Sequence, residues 1–328
     1  MKRILMTLPF LFAAAGVQAA DCGDVSIADM NWQSATLLAN IDKIILEAGY
    51  GCNATLVAGD LVPSMTSMAE KGEPDIAPEN WIALLPDILK RGKEEGKIVS
   101  LGNSLPDGGQ LGWWVPQYMV DKYPNLTSIP EVLKHPELFP APEDASKGAI
   151  YNGPEGWAAT LITAQYYKAY KAEAAGFELV SSGTAASLDA VLVRAYEKEQ
   201  GWVGFYWAPT PLLGKYKMVK LSHGAPFNQE EWTRCNTVGD CPDPVPNDWP
   251  SDTIETAVSG EFFRKGGPTI DYLRKRALHN NVVSKMLSWM TDNQATGADG
   301  ALEFLRHHEA IWRGWVTPEA AGKIKASM

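Results

Sequence analysis

Apolar residues recur along this chain with two periods. Over residues 33–48, Leu37, Leu38, Ile41, Ile44, Ile45 and Ala48 fall on one face of a 3.6-residue repeat, which predicts a helix that Gly49 and Gly51 stop. Short apolar runs flank it: 25–28 and 54–57 read as strands, 61–71 as a second helix and 75–77 as a third, short strand. Strands alternating with helices predict an α/β layer on a parallel sheet. A second series follows. Residues 111–115 read as a strand passing between lobes, just after the turn-forming 106–109. A strand at 149–151, helices at 157–175 and 188–200, and a strand at 202–207 come next, with 218–221 as the return crossing. Residues 227–250 read as loop, and helices are expected at 268–279, 282–291 and 300–313. The organisation implied is two α/β lobes with two hinge crossings: 21–110 plus 222–328 as lobe 1, and 111–221 as lobe 2.

The first residues change the picture by adding an address. Lys2 and Arg3 precede an apolar run over 4–17, and Ala19 and Ala20 supply small residues at a cleavage position. Residues 1–20 are therefore expected to be a signal peptide, and the run is too short to span a bilayer. The expected location of the mature chain is the periplasm. Its charge is acidic: without Lys2 and Arg3, 27 basic residues face 39 acidic ones. No basic tract occurs, which argues against a nucleic-acid partner, because such binding leans on Lys and Arg contacts to phosphate.

Four cysteines behind an export signal imply disulfides. Three pairings are open. Cys235 and Cys241 stand six apart and close a small loop, so Cys22 and Cys52 pair by elimination. That pairing suits the topology, since each of the latter precedes a predicted strand and a right-handed β-α-β unit sets those starts side by side.

Tryptophan is the unusual residue, 12 in 328. A single tryptophan is more often packing than site. Four, however, sit just past predicted strand ends, where open parallel sheets collect ligands. These are Trp32, Trp81, Trp157 and Trp207, two in each lobe. Closing the lobes would bring them into one cavity. Trp113 and Trp114 are adjacent and point to opposite faces of a strand, so Trp113 is a candidate fifth wall. Indole faces attract cations, and a quaternary ammonium is the usual occupant of such a cage. A sugar would need a dense polar ring, and the four loops carry no Arg or Lys.

Three segments carry a specific likeness: Asp75-Ile76-Ala77-Pro78-Glu79-Asn80-Trp81, Gly153-Pro154-Glu155-Gly156-Trp157 and Gly204-Phe205-Tyr206-Trp207-Ala208-Pro209-Thr210. With them the chain resembles the periplasmic binding proteins of glycine betaine/choline-type ABC importers. The resemblance implies a type II periplasmic-binding-protein clamshell, an aromatic box at Trp81, Trp157 and Trp207 with Trp32 where related choline binders also use an aromatic, and no enzymatic activity. It implies the membrane subunits of an ABC importer as partners, a monomeric receptor and no cofactor. Betaine binders must neutralise a carboxylate, yet these loops bring Glu79 and Glu155 and no positive side chain. Glu155 is either a ligand contact or a first-turn charge complementing its helix. The expected ligand is accordingly a trimethylated compound with a small polar head, trimethylamine N-oxide first, with glycine betaine or choline as alternatives. A chemosensory receptor with the same clamshell is a further alternative.

Other constellations weigh little. His307 and His308 are adjacent and do not share a helix face, so they make no metal pair. No Gly-x-Ser-x-Gly elbow or Walker loop exists, and no histidine falls in the tryptophan loops, which leaves no place for a nucleophile and its base. Asp240, Asp243 and Asp248 could hold a structural Ca²⁺ on an exported loop, although loop composition alone accounts for them.

Overall fold

The computed structural model describes residues 22–328; the signal peptide expected at 1–20 lies outside the described residues. Nine strands are present among them: β1 (Asp24–Met30), β2 (Asn53–Gly59), β3 (Ile76–Trp81), β4 (Ile98–Pro116), β5 (Gly148–Asn152), β6 (Phe177–Ser181), β7 (Gly204–Ala208), β8 (Met218–Lys220) and β9 (Asp252–Ser259). They run in the order β2-β1-β3-β9-β4-β7-β5-β6, with β8 on the flank of β4. The fold is a two-lobed α/β clamshell in which β4 belongs to both sheets. Its first part, Ile98 to Gly109, pairs with β9, and Gln110 to Trp114 pair with β7.

The first lobe forms as its apolar periodicity dictates. The helix Gln33–Tyr50 buries Leu37, Leu38, Ile41 and Ile45, and each such side chain contributes roughly 1.5–3 kcal/mol when removed from water. β1 pairs in parallel with β2 over seven residues, Asp24 to Met30 against Asn53 to Gly59. That register sets Cys22 beside Cys52, and the disulfide is present with Cα atoms 4.8 Å apart. Cys235 and Cys241 form the second, at 5.2 Å.

Three features differ from the reading of the chain. The turn residues 106–109 do not end a strand; they lie within β4, where the register against β9 shifts between Leu105 and Gly109. Pairing with β9 absorbs the extra residues as a bulge instead of a turn. The return crossing is not at 218–221, because β8 stays on the second sheet, antiparallel to Trp114–Pro116. β9 makes the return, and it runs antiparallel to β3 and β4 because it enters the first sheet from the opposite lobe. Finally, the segment expected as loop over 227–250 is tied down. Asn247 Oδ1 accepts from the Asn228 N–H at 2.7 Å, and the Tyr166 hydroxyl donates to the Asp248 carbonyl at 3.0 Å.

Candidate ligand-binding site

β1, β3, β5 and β7 all end at the cleft between the lobes, and each delivers a tryptophan there. Trp32 and Trp157 stand at the N-cap positions of the helices Gln33–Tyr50 and Ala158–Ala169. Trp81 closes β3, and Trp207 is the penultimate residue of β7. These four rings line one cavity. Leu61 and Leu84 complete its wall from the first lobe; Leu111, Ala158, Ala159 and Phe205 complete it from the second. No lining residue carries a charge.

The rings brace one another. Trp157 meets Trp207 edge to face, with centroids 4.9 Å apart and planes at 86°. Phe205 lies nearly parallel to Trp207 at 6.0 Å, as alternation along β7 requires. Trp81 passes over Gly109, where a Cβ would stand 2.1 Å from its Cζ3. The bulge in β4 thus puts a glycine where the cage needs the room.

Carboxylates stand behind the tryptophans. Glu79 is fully buried. Its Oε1 accepts from Trp32 Nε1 at 2.7 Å, Trp81 Nε1 at 3.0 Å and Ser34 Oγ at 3.1 Å. Burial pushes this carboxyl above the ordinary carboxylate range, and those hydrogen bonds together with the more distant Arg276 oppose the shift. Asp60 Oδ1 accepts from Trp157 Nε1 at 3.2 Å. Each of these bonds ties an indole of the cavity wall to a carboxylate. Arg276 is committed elsewhere, to Asp42 in a fully buried ion pair and to the Pro78 carbonyl.

Two candidates are not brought to the cavity. Glu155 is exposed and borders a separate surface depression with Glu70 and Lys71. Trp113 is wholly buried beside Tyr170, ring centroids 6.4 Å apart, within the second lobe. Its strand neighbour Trp114 donates to the Tyr206 carbonyl at 3.0 Å. The Ca²⁺ site sought near Asp240, Asp243 and Asp248 finds no support. Asp243 is bonded by Arg234 at 2.9 Å and Asp248 Oδ1 by the Trp249 N–H at 2.8 Å. Among the described residues the only cluster with ligand-like spacing joins Asp243 to two cysteines already in a disulfide. Asp60 and Phe205 were missed. The strand-end rule applied to β2 finds Asp60, and the i, i+2 spacing from Trp207 finds Phe205.

A hinged clamshell with an uncharged aromatic cavity between its lobes defines a solute receptor, a protein that closes on a small molecule. The chain belongs to the family described as the substrate-binding domain of ABC-type glycine betaine transport systems, whose sequence profile matches residues 23–307. It is a substrate-binding protein of a glycine betaine/choline-type ABC transporter and not an enzyme. Among curated proteins it is similar to the trimethylamine N-oxide-binding protein of Pelagibacter ubique (strain HTCC1062), 22% identical over 95% of this chain and 98% of that one. Solved structures with the same fold include an ABC-transporter choline-binding protein in complex with choline (TM-score 0.74, 17% identity, 93% of this chain and 98% of that one). Lactococcal OpuAC closed on glycine betaine is another (TM-score 0.69, 18% identity, 90% of this chain and 100% of that one).

Proposed function

We propose that this chain is the periplasmic, monomeric receptor of an ABC importer and carries a trimethylated compound with a small polar head, trimethylamine N-oxide before glycine betaine. The observation that supports this most is the composition of the cavity wall: four indoles from two lobes and no Lys, Arg or His. Each cation–π contact contributes about 0.5–2 kcal/mol, enough in sum for micromolar binding once costs are subtracted. A ligand with a full carboxylate would be buried without a cationic partner, at a cost of several kcal/mol. Ala158 and Ala159 line the cavity in the first turn of the helix Ala158–Ala169. First-turn N–H groups have no partner within the helix, so they suit the oxygen of an N-oxide. The similarity to the Pelagibacter protein points the same way. On this reading the lobes are 22–110 plus 252–328, and 111–221. Residues 222–251 pack on the second lobe, where Gln165 and Tyr166 donate to the carbonyls of Gly239 and Asp248, and the membrane subunits of the importer receive the closed form.

Isothermal calorimetry with trimethylamine N-oxide, choline and glycine betaine tests the assignment. Tighter binding of glycine betaine than of both others would overturn the ligand choice and leave the aromatic receptor intact. Binding of none of the three would overturn the receptor reading itself.

A further inference from the structure

Asp60 occupies the N-cap position of the helix Leu61–Lys71, yet its side chain makes no hydrogen bond to that helix. An N-cap aspartate ordinarily accepts from the second or third N–H of its own helix. Here the carboxylate reaches across the cleft to Trp157 Nε1 instead, at 3.2 Å. Beside it the Val62 N–H donates to the Gly156 carbonyl at 3.3 Å, a second bond between lobes. Gly156 lies tight against the carboxylate: a Cβ there would stand 2.2 Å from Asp60 Oδ2 and 2.6 Å from Asp60 Cβ. The bond to Trp157, the bond at Val62 and the missing Cβ all belong to the closed arrangement of the lobes.

We propose, building on the receptor reading above, that Asp60 and Gly156 form a cross-lobe seat that positions the Trp157 wall and selects ligand charge. Closure transfers the Asp60 carboxylate from its own helix start to the Trp157 indole, and only a glycine at 156 lets it arrive. The indole so held lines the cavity with the Asp60 carboxylate bonded to its Nε1. That charge favours a cation and disfavours a ligand that carries its own carboxylate. Asp60 acts through Trp157 and is a positioning residue.

The test combines small-angle scattering, which reads ligand-induced compaction, with calorimetry on choline, trimethylamine N-oxide and glycine betaine. Gly156→Ala should lose the compaction and weaken every ligand by about tenfold or more, with the ligand-free melting temperature unchanged. Asp60→Asn keeps an oxygen that accepts from Trp157 and removes the charge. It should still compact, and its ratio of choline to glycine betaine affinity should fall about tenfold. Wild-type protein that binds the ligands together with a Gly156→Ala protein that compacts and binds equally well would overturn the seat alone. An unchanged affinity ratio in Asp60→Asn would overturn the charge selection, and it decides by itself should Gly156→Ala fail to fold. Wild-type protein that binds none of the three removes the receptor reading and this proposal with it.

Discussion

Trp32 and Trp157 come from opposite lobes and meet edge to face, with ring centroids 6.1 Å apart and planes at 88°. Edge-to-face pairs are favourable because the positive rim of one ring meets the negative face of the other. The contact therefore rewards closure as well as bounding the cavity.

From this it follows that Trp157, which touches Trp32, Phe205 and Trp207, is the most costly wall to remove. Single alanine replacements of Trp32, Trp81 and Trp207 should each weaken ligand binding by about 1–3 kcal/mol, and Trp157→Ala by the upper end of that range or more. Calorimetry measures this. Full affinity in any two of the four would count against the cage.

Glu79 serves two walls at once. Glu79→Ala strips the acceptor from the indoles of Trp32 and Trp81 and should weaken ligand binding by about 2 kcal/mol or more, since each buried donor left without a partner costs roughly 1–3 kcal/mol. Glu79→Gln keeps one acceptor oxygen and should fall between that variant and the wild type. An alanine variant with unaltered affinity would show that the two rings hold their places without it.

Asp189 accepts from the Tyr206 hydroxyl at 2.6 Å, and burial raises its carboxyl to about 6. A carboxyl raised by folding makes the native state bind more protons than the unfolded chain. Stability from this group is thus greatest near pH 4 and declines as pH rises through about 6. Asp189→Asn keeps an oxygen for Tyr206 and removes the titration. The variant should be more stable than wild type above pH 6 by about 1–3 kcal/mol, with the difference vanishing towards pH 4. Asp252, raised to about 7 by burial, titrates in both proteins and cancels in the comparison. Melting curves across this range check it, and a pH-independent difference would contradict the assignment.

Beneath the cage, Arg276 Nε and Nη2 bond the two oxygens of Asp42 at 3.0 and 3.2 Å, with neither side chain exposed. Asp42→Ala strands a buried guanidinium and should cost about 3–5 kcal/mol in urea unfolding. Replacing both partners, Asp42→Leu with Arg276→Met, should recover much of that loss. A double variant no more stable than the single one would refute the pairing argument.

The link between Cys22 and Cys52 joins the starts of two parallel strands. Removing it by Cys22→Ser with Cys52→Ser should cost about 2–4 kcal/mol. A non-reduced digest should yield the Cys22–Cys52 and Cys235–Cys241 peptides; a Cys22–Cys235 peptide would contradict the fold.

Periodicity and strand-end position make much of this protein legible in its sequence. The 3.6-residue pattern over 33–48 and the apolar runs on either side contain the first β-α-β unit, because local burial demands and chain direction leave few alternatives. Tryptophans just past strand ends mark a cleft for a similarly local reason: a large ring there has little core to enter. What depended on distant partners was hidden. β9 and the bulge in β4 exist because residues some 150 positions apart pair in one sheet, and no local pattern records such a pairing. Glu155 and Glu79 look alike in the chain, each two residues before a tryptophan. Only the tertiary structure decides that Glu79 is buried beneath two indoles while Glu155 faces solvent, because burial is set by what the opposite lobe and the neighbouring strands cover. The same holds for Asp60, whose choice between its own helix and Trp157 is made by the approach of the second lobe.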